Sequence, residues 1–373
     1  MLGESASLSV RRLDRNRLYP GVSLSDRHVL LRQWLRGVLG GAEPVLSPAS
    51  SDASFRRYWR LHHGGESLIA VDAPPQTENS AAFVRLAKRF RRLGLNVPRI
   101  LAADEARGLL LVSDLGQRSY LDALDAGSAD RLYRDAIEAL VTMQAAAPAD
   151  DLPDYDAAFL ERELRLFDTW LLDALLDARS EQYRGLLDDV YGHLIRSALE
   201  QPRVCVHRDY HSRNLMVCDT GNPGILDFQD AVRGPVSYDL ASLLKDCYVD
   251  WPPARIDEWT SGYLGRAVDA GVLDPGDRAR FPVWLDLMAT QRHLKAAGIF
   301  ARLALRDGRP DYLQYLPRTL GYVVDAGTRH SLLRPLADLI EVKVLPRAER
   351  DMRSADPAAP SPRGVSRSPG VLD

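Results

Sequence analysis

Hydrophobic and polar positions follow two different periods along the chain, and the change between them divides it into two parts. Up to about residue 115, short stretches with a period of two predict β-strands at 44–47, 55–61, 67–72, 100–103 and 109–113. Amphipathic stretches predict one helix over 24–40 and a second that begins at Asn79 or Ser80 and ends before Gly94. Strands with one inserted helix indicate a compact α+β region.

After residue 116 a period near 3.6 residues predominates and predicts a larger, mainly helical region. The periodic segments cover 129–146, 155–176, 181–199, 237–247 and 280–305. A cluster of short strands between Val204 and Asp227 is the exception. We therefore predict an α+β protein of two lobes, 23–115 and 116–345. A loose arm (1–22) precedes them, and a tail (346–373) with few large apolar residues is expected to be disordered.

Composition and charge exclude several classes of protein. Of the 373 residues, 46% are hydrophobic and 27% charged, as in ordinary globular proteins, and the net charge of −3 provides no basic field for nucleic acid. No apolar run is long enough to cross a bilayer, and the N-terminus lacks the apolar core of a secretory signal. Three cysteines without a zinc-binding spacing fit reduced thiols. We expect a cytoplasmic protein that binds neither nucleic acid nor membranes and that has no obligate protein partner.

The segment from Val206 to Met216 carries the clearest chemical signal, because it contains Asp209 and Asn214, five positions apart. Asp227 follows eighteen residues after Asp209, at the end of a further predicted strand. Phosphoryl transfer needs a carboxylate that orients the attacking hydroxyl and accepts its proton, and two hard oxygen ligands for Mg²⁺. We predict that Asp209 is the catalytic base and that Asn214 and Asp227 hold the metal ion. A single Asp would be interpreted as a turn or cap residue, but two aspartates and an asparagine in this order and spacing indicate a site.

These motifs resemble those of known kinases. The segment His207–Asn214 resembles the H-R-D-x-x-x-x-N catalytic loop, and Asp227 with the two residues after it resembles the D-F-G metal site. The superfamily of aminoglycoside phosphotransferases and choline kinases is similar in a further motif, Tyr-Asp-Leu, here centred on Asp239. The resemblance implies a bilobal, protein-kinase-like fold with a small β-rich N-terminal lobe that binds ATP and a larger helical lobe. It also implies that His207 and Asp239 support the catalytic loop.

Four stretches look like the bacterial anomeric kinases of N-acetylmuramate and N-acetylglucosamine, which act in peptidoglycan recycling. They are Ser51–Tyr58, Val71–Pro75, Asp227–Ala231 and Gln291–Lys295. Across about 24–345 this resemblance implies transfer of phosphate from ATP, with Mg²⁺, to the C1 hydroxyl of an amino sugar. The α-1-phosphate would then be converted to a UDP-sugar by a nucleotidyltransferase.

The expected ATP site departs from the general kinase pattern. The phosphate-covering loop lacks G-x-G-x-x-G, so small residues are expected to donate backbone amides or hydroxyls to the phosphates: Ser51, Ala53 and Ser54. The backbone of Asp114 and Leu115, where the lobes join, is expected to pair with adenine. The strand that should carry the kinase lysine reads Ile69-Ala70-Val71-Asp72, so its glutamate partner, for which Glu78 is the nearest candidate, is in question.

Another cation is needed in place of that lysine. Alternation along 55–61 puts Arg56, Tyr58 and Arg60 on one face of the strand and Arg57 on the other. An arginine on the cleft side would supply the charge, since its planar fork suits phosphate. We predict that Arg56 and Arg60 contact ATP.

The predicted substrate-binding residues lie in and after the catalytic loop: His211, Arg213, Gln229, Asp230, Arg233 and Arg292, with His293, Glu163 and Trp170 as further candidates. The lactyl carboxylate of a muramate calls for a cation, which Arg292 or Arg233 would provide. Two alternatives stay open. A kinase for an aminoglycoside, choline, homoserine or methylthioribose would need acidic residues in the cleft, and a pseudokinase acting as a binding module is favoured only by the missing lysine.

Overall fold

The structure is a computed structural model that describes residues 24–50 and 55–355. Its N-terminal lobe contains one antiparallel sheet of five strands in the order β1-β2-β3-β5-β4. The strands are β1 (Ser47–Ser50), β2 (Arg57–His63), β3 (Glu66–Asp72), β4 (Ile100–Asp104) and β5 (Leu109–Ser113). Between β3 and β4 lies helix α2 (Ser80–Arg92), which begins after Asn79 because the Asn79 side chain accepts a hydrogen bond from the Ala82 amide at 3.0 Å.

Two helices pack on opposite faces of this sheet. Helix α1 (Leu24–Val38) covers one face, where Leu31 and Leu35 contact apolar side chains of β3 and β5. Helix α2 covers the other face, and its core continues into the C-terminal lobe. Since side chains alternate along a strand, Asp72 shares the α1 face with Ala70. Its buried carboxylate accepts hydrogen bonds there from Arg27 and Arg57.

The C-terminal lobe is mainly helical. Its α-helices are α3 (Tyr120–Ala123), α4 (Ala129–Ala146), α5 (Ala157–Leu166), α6 (Arg184–Leu199), α7 (Tyr238–Leu244), α8 (Pro253–Asp269), α9 (Phe281–Asp307), α10 (Leu316–Arg329), α11 (Arg334–Leu339) and α12 (Leu345–Ala355). Helix α9 spans 27 residues and packs against α5, α6, α7 and α10. A Cβ at Gly298 of α9 would lie 2.3 Å from the Leu166 carbonyl carbon, so this close helix contact requires glycine.

Short strands interrupt the helices where the catalytic loop was predicted. β6 (Arg203–Val206) pairs with β9 (Val232–Pro235), and β7 (Leu215–Met216) pairs with β8 (Gly224–Ile225), both antiparallel. The two-lobe α+β fold predicted from the sequence is confirmed. None of the helices in the described ranges is long and apolar enough to cross a membrane.

Three predicted elements differ from the structure. The first strand lies at Ser47–Ser50 rather than at 44–47. The helix predicted over 155–176 is α-helical only to Leu166 and continues as a π-helix over Phe167–Leu175, next to the close contact with Gly298. The prediction of a disordered tail is wrong for 346–355. These residues belong to α12, which is rich in helix-favouring residues and buries Ala348 in the apolar core of the C-terminal lobe. The rest of the predicted tail and the arm 1–22 lie outside the described residues.

Candidate active site

The two strand pairs bring Asp209, Asn214 and Asp227 together. Strand β6 leads into the loop that carries Asp209 and Asn214, and β7 and β8 pair directly after this loop and before Asp227. The Leu226 amide donates to the Asn214 carbonyl at 2.9 Å, which places Asn214 beside Asp227. The Asn214 side-chain amide donates to the Asp209 carbonyl at 3.0 Å. The three residues thus form one cluster at the cleft.

Asp239, at the start of α7, fixes the backbone of the catalytic loop. Its buried carboxylate accepts hydrogen bonds from the amides of His207 at 2.7 Å and Arg208 at 2.9 Å. The loop needs such support because Arg208 (φ 79°) occupies the left-handed region, which is unfavourable for residues with a Cβ. Asp227 (φ 61°), after the next strand, lies in the same region. The His207 ring donates to the Leu226 carbonyl at 2.9 Å and so links the loop to the strand before Asp227.

Cations surround the carboxylate of Asp209. Burial would raise the pKa of Asp209, but the positive charges of Lys295, foremost, and of Arg208 and Arg292 lower it to about 2. Lys295 and Arg208 also flank Glu163, whose carboxylate is 3.1 Å from the Lys295 ammonium and accepts a hydrogen bond from Arg208. Asp209 is therefore ionised at neutral pH, as a hydroxyl-orienting base must be.

Asp227 has the opposite electrostatic environment. Burial and the nearby negative charge of Asp209 raise the pKa of Asp227 to about 6, and the Gln229 side chain donates a hydrogen bond to its carboxylate at 2.8 Å. Its side chain nevertheless keeps 42% of its surface accessible toward the cleft. Two neighbouring carboxylates and an amide oxygen suit a divalent cation, because hard oxygen ligands and a positive charge relieve their repulsion. The donor set at Asn214 and Asp227 thus fits Mg²⁺.

Arg56 lies between two carboxylates of the cleft. Its guanidinium lies 2.9 Å from the Glu78 carboxylate, just before α2, and 3.6 Å from Asp227. This arrangement matches the lysine–glutamate pair of kinases in charge, although the cation comes from the residue before β2 instead of from β3. Glu78, which has no lysine partner on β3, is thus paired with Arg56.

Arg60 does not share this position. Its guanidinium binds the Asp114 carboxylate at 2.6 Å and the Gly116 carbonyl at 3.1 Å, so Arg60 lies at the hinge, the segment where the lobes join, and its contact with ATP stays a prediction. Four residues along a strand correspond to about 13 Å, which carries Arg60 to the hinge although it lies on the same face as Arg56. Asp114 also accepts from the Ser67 hydroxyl at 2.6 Å, and Leu115 accepts from the Cys218 thiol at 3.5 Å. The side chain of Asp114 therefore ties the hinge to β2 and β3.

Sequence comparison identifies the family of this site. The model of the phosphotransferase enzyme family matches residues 45–280, which include the whole cluster. The chain belongs to the phosphotransferase enzyme family. A relative from Pseudomonas aeruginosa, named N-acetylmuramate/N-acetylglucosamine kinase, is 47% identical over 79% of this chain and 87% of its own length. A protein of the same name from Neisseria meningitidis serogroup B is 37% identical over 84% of this chain and 95% of its own.

Solved structures with the same fold are more distant in sequence. A choline kinase from Streptococcus pneumoniae has a TM-score of 0.57 at 13% identity, over 79% of this chain and 98% of that one. An ADP-bound aminoglycoside phosphotransferase has a TM-score of 0.53 at 12% identity, over 79% of this chain and 97% of that one. These likenesses confirm the kinase-like fold predicted for this phosphotransferase from its motifs.

Cations and aromatic rings pack together near Asp209 in this phosphotransferase. Arg213 lies 4.9 Å from the ring centre of Tyr248 and 5.5 Å from that of Tyr312. His211 packs edge-on against Tyr248 with ring centres 5.4 Å apart. Burial and the charge of Arg292 lower the pKa of His211 to about 4, so its ring is neutral at pH 7. The result is a wall of aromatic and cationic side chains next to Asp209.

Most of the other residues predicted to bind substrate lie on the surface or in structural contacts. Asp230 is exposed and accepts from Gln229 at 3.2 Å. Arg233 lies on the surface and binds Asp154 at 2.6 Å and Asp150 at 3.5 Å, so it is not a buried cation of the cleft. His293 stacks on Tyr322 and donates to the Lys245 carbonyl, which gives it a structural position. Trp170 packs into the C-terminal core, and Ser51, Ala53 and Ser54 lie outside the described residues.

Reasoning from sequence missed three residues of the site. No role was predicted for Lys295, although it ends the Gln291–Lys295 stretch, and none was predicted for Tyr248 or Tyr312. The signal available in the sequence was a lysine within a largely apolar stretch of predicted helix, because a lysine that becomes buried there needs a partner. The two tyrosines gave no such signal.

Proposed function

We propose that this phosphotransferase uses Mg-ATP to phosphorylate the anomeric C1 hydroxyl of N-acetylmuramate and N-acetylglucosamine, forming the α-1-phosphate. The observation that carries the proposal is the cluster of Asp209, Asn214 and Asp227 in a chain 47% identical to a protein named for these two sugars. In cells the product would feed UDP-sugar synthesis during cell-wall recycling, in the cytoplasm, where ATP is available.

In the proposed reaction the C1 oxygen attacks the γ-phosphorus, and the bond between that phosphorus and the ADP oxygen breaks. The hydroxyl proton goes to Asp209 as the new bond forms. A carboxylate whose pKa is held near 2 is a weak base, so it suits an acidic hydroxyl. The anomeric hydroxyl of a sugar is more acidic than its other hydroxyls, which is why C1 fits this site.

The nucleotide would lie between the lobes. The backbone of Asp114 and Leu115 would face the adenine, and Arg56, which pairs with Glu78, would contact the phosphates. Asn214 and Asp227 would hold Mg²⁺, which neutralises charge on the polyphosphate. Arg56 lies 3.6 Å from Asp227, so its positive charge would add to that of the metal beside the polyphosphate.

The charges around Asp209 disfavour the open alternatives. Choline and aminoglycosides are cations, and the charge of Arg292, which contacts no carboxylate among the described residues, disfavours their binding near Asp209. A neutral or anionic acceptor is favoured. The case for a pseudokinase rested on the missing lysine, and Arg56 now provides a cation next to the metal ligand.

Turnover with a panel of acceptors tests the proposal. We expect ADP release from Mg-ATP to accelerate with N-acetylglucosamine and N-acetylmuramate, and not with choline, homoserine, kanamycin or methylthioribose. Chelation of Mg²⁺ should abolish the reaction. Turnover with one of the cationic acceptors and not with the amino sugars would show that the proposal is wrong.

A further inference from the structure

Arg292, in the middle of α9, is a buried cation with an unused hydrogen-bonding capacity. Its side chain is 6% exposed, one terminal nitrogen donates to the Cys247 sulfur at 3.7 Å, and Nε is buried with no partner among the described residues. None of the salt bridges within 24–50 and 55–355 includes this guanidinium. A thiol is a weak acceptor, so the charge of Arg292 is not matched by a contacting group.

Other buried cations of the lobe are matched. Lys295, one turn further along α9, lies 3.1 Å from Glu163, and Lys245 binds Asp286. Burying a charge without a partner is unfavourable by several kcal/mol unless a ligand or water compensates it. The lone guanidinium is therefore suited to an anion that is not part of the chain.

Arg292 also lies on the acceptor side of the catalytic base. Its guanidinium contacts Cys247, whose neighbour in the chain, Tyr248, packs against His211 of the catalytic loop with ring centres 5.4 Å apart. The charge of Arg292 also contributes to lowering the pKa of Asp209 and His211. Nearby carboxylates are already used: Asp246 accepts from the Ser212 amide at 2.9 Å and from the Tyr248 amide at 2.9 Å. The aromatic wall of Tyr248 and Tyr312 continues from this position.

The two sugars of the proposed function differ at one place. N-acetylmuramate carries a lactyl ether with a carboxylate on C3, whereas N-acetylglucosamine has a hydroxyl there. A guanidinium binds a carboxylate through two parallel hydrogen bonds, which gives both strength and orientation. Resting on the proposed function, we propose that Arg292 binds the lactyl carboxylate of N-acetylmuramate and sets the preference for this sugar over N-acetylglucosamine.

The sequence left Arg233 as an equal candidate for this carboxylate. In the structure the Arg233 side chain is one-third exposed. Two nitrogens of its guanidinium already donate to the Asp154 carboxylate, at 2.6 and 3.1 Å. Surface ion pairs of this kind are solvated and contribute little to specific recognition. Arg292 is thus the better fit, and the two arginines can be tested against each other.

The test compares kcat/KM for the two sugars in one preparation of each variant. Arg292→Gln is expected to lower kcat/KM for N-acetylmuramate about 10- to 100-fold more than for N-acetylglucosamine, mainly through KM. Arg292→Lys keeps a charge and should recover part of the lost preference. Arg233→Gln should leave the ratio of the two values unchanged. The melting temperature and turnover of N-acetylglucosamine report whether each variant is folded.

A second measurement needs no variant. The methyl ester of N-acetylmuramate keeps the lactyl shape but removes its charge, so the wild-type enzyme should use it about 10- to 100-fold less well than the acid. Equal loss for both sugars in Arg292→Gln, a selective loss in Arg233→Gln, or equal use of acid and ester would overturn the inference. If the wild type phosphorylated neither sugar, the proposed function would be wrong and the inference would fall with it. If it phosphorylated both with an unchanged ratio in Arg292→Gln, only the inference would be wrong.

Discussion

Two buried groups of charge in this protein differ in whether each cation has a contacting carboxylate. On the α1 face of the N-terminal sheet, Asp72 accepts hydrogen bonds from Arg27 at 2.8 Å and from Arg57, and Arg27 also binds the Arg107 carbonyl. Around Asp209, by contrast, Lys295 and Arg208 pair with Glu163, while the only contacting group of Arg292 among the described residues is a thiol. The first group is complete within the chain and holds a helix to a sheet. The second is incomplete without a ligand, which is typical of a functional site.

The comparison predicts its largest effect on activity at Asp209. Asp209→Asn removes the carboxylate shared by the cations of the cleft and leaves no base for the acceptor hydroxyl. We expect kcat to fall by about 10²- to 10⁴-fold, with nucleotide affinity largely kept, since Asp209 is not the predicted metal ligand. Steady-state kinetics and nucleotide titration check this. Near-normal kcat would remove Asp209 from the role of base.

Substitution in the group around Asp72 should lower the stability of the protein instead of its activity. Asp72→Asn leaves Arg27 and Arg57 without their buried carboxylate, and breaking such a pair reduces the free energy of unfolding by about 3–5 kcal/mol. We expect a melting temperature lower by about 5 °C or more, and nearly unchanged kcat well below it. Glu66→Gln, which removes an exposed pair with Arg99 in the same lobe, is the control and should have little effect. If Asp72→Asn lost activity but not stability, the group around Asp72 would not be purely structural.

Arg56 and Arg57 are adjacent in the chain, but one lies in the cleft and the other in the group around Asp72. Arg56 faces the cleft, where it contacts Glu78 and Asp227, whereas Arg57 faces α1 and binds Asp72. Arg56→Met should raise KM for ATP and lower kcat/KM about 10- to 100-fold, because charge-assisted contacts with phosphate are lost. Arg57→Met should mainly lower the melting temperature. Equal effects of the two variants on KM for ATP would argue against Arg56 as the phosphate-binding cation.

The smallest expected effect concerns pH. Burial would raise the pKa of Asp286, but Lys245, Arg329 and His330 hold it well below the usual range. A carboxyl whose pKa is lower in the folded state stabilises the protein above its unfolded pKa of about 4, and this stabilisation is lost as the pH falls below that value. Asp286→Asn should thus reduce stability by about 2 kcal/mol at pH 7 and by progressively less below pH 4. Urea unfolding at several pH values measures the difference; a constant difference would contradict this account.

The sequence predicted the parts of the site that lie close together in the chain. The spacing of Asp209, Asn214 and Asp227 was sufficient because short strands bring such motifs together. Alternation correctly separated Arg56 from Arg57, but it could not tell Arg56 from Arg60, since both lie on one face and only the hinge distinguishes them. The contacts of Lys295 and Arg292 depend on how α9 crosses the lobe, which period and spacing do not determine. Helix α12 was missed because its apolar stripe is short.

The position of the phosphate on the product tests the central claim most directly. The wild-type enzyme, Mg-ATP and N-acetylglucosamine should give a product whose ³¹P NMR coupling places the phosphate on C1. The 1-O-methyl glycoside of N-acetylglucosamine, with its C1 oxygen blocked and its 6-hydroxyl free, should not be phosphorylated. Phosphate on that glycoside, or a sugar 6-phosphate as the product, would contradict the account.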